Sequence, residues 1–185
     1  MAGPPRAGKA DAATLAAFEQ SVRPHVGSAL ALARSITRGV SEAEDVVQEA
    51  YVRAFTYFGS FSGAEPRRWF LSIVRNAAYA WLRKTRTEEL SQMDDELGDN
   101  EPVSTETPEV QLIRSLDAAW LNAEIARLPL PYREVLVLRE LEDLSYREIA
   151  DVGDAPIGTV MSRLARARGQ LQRAILATCR RVVTP

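Results

Sequence analysis

The chain has 185 residues, 46% hydrophobic and 26% charged, with a formal net charge of −2. That suits a soluble globular protein of one medium domain or two small ones, and no apolar run approaches the roughly 20 residues of a membrane span. One cysteine, Cys179, excludes an internal disulfide, and with a single histidine, His25, it leaves no zinc set, no nucleophile-base pair for an enzyme and no call for a cofactor.

The first ten or so residues, rich in Gly, Pro and Ala, are expected to be disordered. They lack the apolar stretch of a signal peptide, so a cytoplasmic protein without membrane insertion is expected. From Asp11 to about Arg38, Leu15, Phe18, Val22, Val26, Leu30, Ala33 and Ile36 recur at helical spacing, with Pro24 as a kink and Gly39 as a helix end. Ser41 followed by Glu44 has the form of a capping box and opens a helix to about Phe58. Its core side is Val46, Val47, Ala50, Ala54 and Phe58. Its outer side is mostly acidic, and spacing alone names no partner for it.

Gly59 to Glu65 reads as a short polar loop with an exposed Phe61, and Pro66 starts the next helix, which runs to about Arg86. Trp69, Phe70, Ile73, Val74, Ala77 and Trp81 form a stripe predicted to be buried. Arg68, Ser72, Arg75, Tyr79, Arg83 and Arg86 align on another face, the mixture of charge and aromatic surface that single-stranded nucleic acid needs. Thr87 to Glu109 then carries nine acidic residues and no base, whereas Pro66 to Arg86 and the segment from Arg163 onward carry bases and no acid. The small net charge therefore conceals two basic modules joined by an acidic tether, read as a flexible linker over 87–108.

Glu109 to Leu128 is amphipathic again, Pro129 to Pro131 breaks it, and Tyr132 to Leu141 makes a helix that packs behind the next motif. Ser145 and Glu148 form a capping box for a short helix to about Val152, and Gly153-Asp154-Ala155 supplies a turn. Pro156 suits the first position of a second helix. On that helix Ile157, Val160, Leu164 and Leu171 make the apolar stripe, and Thr159, Ser162, Arg163, Arg166, Gln170 and Arg173 lie away from it. A basic face alone is also what a solvated bundle helix carries. The capping box, turn and proline restart together point to a helix-turn-helix that reads duplex DNA.

These residues resemble the bacterial sigma-70 family, in the small extracytoplasmic-function (ECF) group that keeps only regions two and four. EDVVQEAYVRAF (Glu44 to Phe55) is similar to the region-two helix that grips the β′ clamp helices of RNA polymerase. RRWFLSIVRNAAYAWLRK (Arg67 to Lys84) resembles the helix that opens and reads the minus-ten element. LPLPYREVLVLRELEDLSYREIA with PIGTVMSRLARAR (Leu128 to Arg168) resembles region four. The resemblance implies an all-α fold of two small helical domains, 11–86 and 109–178, joined by the acidic linker, with no domain after region four.

By position it implies core-polymerase contacts at Asp45, Gln48, Glu49, Val52 and Arg53. Minus-ten contacts fall at Ser60, Phe61, Ser62, Arg68, Arg75, Asn76, Tyr79 and Arg83. Minus-thirty-five contacts fall at Pro156, Gly158, Thr159, Ser162, Arg163 and Arg166. The implied partners are core polymerase (β′ clamp helices and β flap), promoter DNA and an anti-sigma factor, and the function is that of a non-enzymatic promoter-specificity subunit. Two alternatives are a dimeric helix-turn-helix regulator, which leaves the N-terminal half unexplained, and a sigma mimic that sequesters a regulator without touching DNA.

Overall fold

Helix-forming sequence interrupted at Gly, Pro and polar turns yields an all-α chain; the computed structural model describes residues 12–62, 65–91 and 110–183. Among them no residue is in a strand. The elements are α1 (Ala12–Val22), α2 (Val26–Thr37), α3 (Val40–Tyr57), α4 (Pro66–Ser91), α5 (Val110–Arg127), α6 (Leu130–Leu136), a π-helical turn (Val137–Leu141), α7 (Tyr146–Gly153) and α8 (Ile157–Val183). The chain divides into two compact units, with the main boundary between Arg83 and Lys84. The expected disorder of the first ten residues and the tether from residue 92 onward fall outside the described residues.

The N-terminal unit is organised by aromatic rings. Phe18, fully buried, meets Tyr51, Phe55 and Phe58 edge-on at centroid distances of 4.8, 5.2 and 5.3 Å. That geometry sets the positive ring edge against a negative face. Around this cluster lie Val22, Leu32, Ile36, Val46, Val47, Ala50, Phe70 and Val74. The kink expected at Pro24 is a 3-10 turn over Arg23–His25.

Two local expectations here are corrected. Gly39 does not end α2; Arg38 takes the left-handed conformation (φ 70) and donates its N–H to the Arg34 carbonyl at 3.0 Å, while Gly39 is extended and starts α3. Ser41 and Glu44 form no capping box, because α3 begins at Val40 and the start carries no side-chain cap. The residue three past Gly39 is Glu42, and its carboxylate lies where a Cβ at Gly39 would stand, 1.7 Å from its Oε2. An anionic group over the first turn is favoured by the helix dipole, and glycine leaves room for it.

On α4 the buried stripe is Phe70, Leu71, Val74, Ala77 and Ala78, whereas Trp69, Ile73 and Trp81 are only half-buried. The predicted stripe is thus displaced toward Leu71 and Ala78, since the small alanines admit close helix packing and the bulky indoles stay at the rim. The helix continues to Ser91 instead of ending near Arg86.

The C-terminal unit has an aliphatic core of Leu128, Val135, Leu136, Leu138, Leu144, Ile149, Val160, Leu164 and Ala167. Its α5–α6 junction is only Leu128 and Pro129. Pro131 sits within the first turn of α6, where a missing N–H costs nothing. Arg133 is buried and donates to the carbonyls of Ala126 (2.7 Å) and Leu128 (3.2 Å), groups that the end of α5 leaves without helical partners. The helix expected over Tyr132 to Leu141 starts at Leu130 and widens into the π turn after Leu136.

Candidate functional site

Local bonds define the helix-turn-helix. Glu148 accepts the Ser145 N–H at 2.8 Å and donates its own N–H to the Ser145 hydroxyl at 3.3 Å, the reciprocal box expected for the start of α7. Arg139 steadies the approach by donating to the Leu144 carbonyl at 2.9 Å, just after Asp143 turns the chain left-handed (φ 52). At the other end of α7, Ala155 N–H reaches the Ala150 carbonyl at 3.0 Å and Asp154 N–H the Asp151 carbonyl at 3.4 Å. These are the paired bonds of a Schellman ending. The left-handed residue is Asp154 (φ 44), not the neighbouring Gly153, which stays helical.

Pro156 is the residue before α8 and not its first helical residue: its carbonyl accepts from Thr159 (2.9 Å) and Val160 (3.3 Å). On α8, Val160, Leu164 and Ala167 are buried, while Ile157, expected in the core, is 50% exposed because it lies on the flank of that stripe. Ser162, Arg166 and Arg173 are exposed and Thr159 and Arg163 half-buried, all on one side at helical spacing. Gly158 is exposed, and a Cβ there would meet nothing within 4 Å, so packing does not require the glycine.

The arginines of α8 are not equivalent. Arg168 points about half a turn away from Thr159 and gives Nε and Nη2 to Glu140 at 2.9 and 2.6 Å; this bond raises its pKa further above the usual guanidinium value. Arg166 donates to the Tyr132 hydroxyl at 3.3 Å. Neither Tyr132 nor Glu140 was a sequence-predicted site residue. They come from α6 and the π turn, and no spacing along α8 reveals them.

In the N-terminal unit, Asp45, Gln48, Glu49, Val52 and Arg53 are all exposed on the outer face of α3, and Val52 is 61% exposed with polar neighbours on both sides. Glu49 and Arg53 pair at 2.5 Å one turn apart. Beside this face, Gln48 also lines a groove of about 610 Å³, floored by Val26, Leu30, Val47 and Tyr51 and edged by Glu19, Arg23 and Glu44.

Phe61 does not project from a polar loop. Its ring stacks on Trp69 at 4.6 Å and is half-buried, with Phe58 6.1 Å away. Ser60 and Ser62 on either side are exposed, and Gly63 and Ala64 fall outside the described residues. Along α4, Arg68, Arg75 and Tyr79 are half-buried, Asn76 and Arg83 exposed, and the Arg75 guanidinium lies over the Tyr79 ring at 4.6 Å. Arg67 turns instead to α2, donating to the Ser28 hydroxyl at 3.3 Å.

Residues 22–88 match the Sigma-70 region 2 family and residues 118–171 the Sigma-70, region 4 family. The RNA polymerase sigma-H factor of Pseudomonas aeruginosa is 34% identical over 86% of both chains. The chain belongs to the sigma-70 family. The ECF RNA polymerase sigma-E factor of Haemophilus influenzae is 35% identical, over 76% of this chain and 79% of that one. Among solved structures, the sigma factor RpoE in complex with the anti-sigma factor NepR from Bartonella quintana superposes with a TM-score of 0.70 at 26% identity, over 86% of this chain and 96% of that one. CnrH in complex with the cytosolic domain of CnrY gives 0.60 at 26% identity, over 88% and 90%. These matches place region two before region four in this sigma factor, over residues 22–88 and 118–171. Among the described residues, no helix is long and apolar enough to cross a membrane.

Proposed function

We infer that this chain is an ECF-type promoter-specificity subunit, acting in the cytoplasm with bacterial core RNA polymerase and performing no catalytic step of its own. The observation that carries the reading is the family match of both regions in one chain, with the expected polymerase-facing residues together on the outer face of α3. Residues 11–86 act as region two, with Asp45, Gln48, Glu49, Val52 and Arg53 as the handle for the β′ clamp helices. Ser60, Phe61, Ser62, Arg68, Arg75, Asn76, Tyr79 and Arg83 meet the melted minus-ten strand. Residues 109–178 act as region four, meeting the β flap. There Thr159, Ser162, Arg163 and Arg166 enter the minus-thirty-five major groove, and Pro156 and Gly158 leave space for the DNA backbone. The mechanism is binding energy spent on opening DNA: phosphate and base-edge contacts offset the unpairing of the minus-ten bases.

Promoter-directed transcription by purified core polymerase tests this. The chain should confer specific initiation, and Asp45→Ala with Gln48→Ala should weaken core binding while keeping helicity, because both side chains are exposed. Arg163→Ala should cost about 1 to 3 kcal/mol and relax preference at one base pair. No initiation above core alone, with the chain folded, overturns the reading.

Regulation by an anti-sigma factor is a second part of the proposal. The similar sigma factor RpoE of Bartonella quintana is in complex with an anti-sigma factor, NepR, and the groove beside α3 shares Gln48 with the proposed polymerase handle. A protein seated there would mask the handle. Co-purification from cells should recover the chain with core polymerase in one pool and with an anti-sigma protein in another.

A further inference from the structure

Arg166 is exposed on the DNA-facing side of α8, and its Nη1 donates to the hydroxyl of Tyr132, a half-buried residue of the first turn of α6, at 3.3 Å. We propose that Tyr132 is a DNA-backbone residue of the minus-thirty-five complex, forming with Arg166 a two-residue clamp on one phosphate. The inference rests on the reading of α8 as the groove-entering helix.

A phenolic hydroxyl accepts through its lone pairs and donates through its single proton. Accepting from Arg166 occupies a lone pair and leaves the O–H to donate, and the neighbouring cation polarises that O–H into a better donor. A guanidinium carries five N–H groups, so the bond to Tyr132 leaves others to give to the same phosphate oxygens. The hydroxyl is also held in place. Val135 and Leu136 on α6 and Leu164 and Ala167 on α8 are buried in one core, and a tyrosine has only two side-chain torsions to order. Phosphate is the ligand class because Tyr132 stands on a different helix from the one that reads bases. A residue beside the inserted helix meets the groove's rim, where the backbone runs.

The test is equilibrium binding of holoenzyme to promoter duplex, across a salt series, for Tyr132→Phe, Arg166→Ala and the double variant. Tyr132→Phe should weaken binding about three- to tenfold. The loss should be equal on matched and altered minus-thirty-five sequences, with the salt slope and melting temperature unchanged because no charge and no buried ring is removed. Arg166→Ala should lower the salt slope by about one. In that background the added loss from Tyr132→Phe should shrink to less than about twofold, since the partner that aligns the hydroxyl is gone. Parental affinity of Tyr132→Phe beside a weakened Arg166→Ala overturns the clamp alone. Equal losses in both backgrounds, or a loss confined to one base pair, overturn it too. An Arg166→Ala variant with parental affinity and slope overturns the DNA reading of that side of α8, and the clamp with it.

Discussion

The two units join their helices by different means. In the N-terminal unit α2 and α3 begin without side-chain caps, and a cluster of rings links α1, α3 and α4: Phe18 with Tyr51, Phe55 and Phe58, then Phe61 on Trp69. In the C-terminal unit the junctions before α8 are tied by directed side-chain bonds, from Arg133 to the end of α5, from Arg139 to Leu144, and between Ser145 and Glu148, and the turn into α8 by backbone bonds. Ring packing gains mainly from a large buried area; a hydrogen bond contributes less and weakens steeply with angle. A helix that must enter a groove in one register needs the second kind of junction. A bundle that presents the side of a helix to a protein partner can rely on the first.

The largest expected effect comes from breaking the ring cluster at its centre. Phe18→Ala should destabilise the protein by about 3 to 5 kcal/mol, because the ring is fully buried and three other rings lose their contact. Denaturant unfolding followed by near-ultraviolet circular dichroism would measure it. A loss under about 1 kcal/mol would mean that the cluster is not what holds the unit together.

Phe61→Ala sharpens the comparison at the cluster's edge. The ring is half-buried on Trp69, so its removal should cost about 1 kcal/mol of stability, well below the Phe18 effect. On the reading proposed for the loop, holoenzyme carrying this variant should still bind promoter duplex yet open it poorly, and a template already mismatched over the minus-ten region should restore part of the transcription. Equal activity on both templates would leave Phe61 a packing residue only.

The two Ser-x-x-Glu motifs test the other half of the contrast. Ser145→Ala removes a formed cap and should cost about 1 kcal/mol, whereas Ser41→Ala removes none and should stay within about 0.5 kcal/mol of the parent. Thermal unfolding of the pair decides it; similar losses would show that α3 starts where α7 does, at its serine. The pair also shows how far sequence could reach. Both motifs are identical on paper, but at α3 the chain turns left-handed at Arg38 and the helix begins before the serine is reached. The helix-turn-helix was legible because its determinants are local: box, turn and restart lie within a dozen residues. Phe61 on Trp69, Arg133 against the end of α5, and Tyr132 beside Arg166 were not legible, because each pairs residues whose nearness is decided by how one helix packs on the next. The set on α3 proposed to face polymerase was legible as a face and not as a site, since exposure follows from periodicity whereas a partner does not.

The smallest expected effect concerns His25, in the 3-10 turn between α1 and α2. Its pKa is lowered from the ordinary 6.5, first by burial and then by the positive charge of Arg67. Both causes disfavour the imidazolium, so the folded protein takes up this proton less readily than the unfolded chain. The associated stability is fully present above the unfolded value of 6.5 and is lost as the pH falls through the lower folded value. Cooling of the melting temperature between pH 7.5 and 5.5 should therefore be steeper in the parent than in His25→Gln, which cannot titrate. Because His25 is the only histidine of the chain, its ring proton resonances can be followed without assignment. Arg67→Met should move that titration part of the way back toward 6.5 and no further, since burial, the larger cause, remains. A full return would make Arg67 the dominant influence, and no movement would mean that the guanidinium, turned toward Ser28, does not reach the imidazole through the intervening solvent.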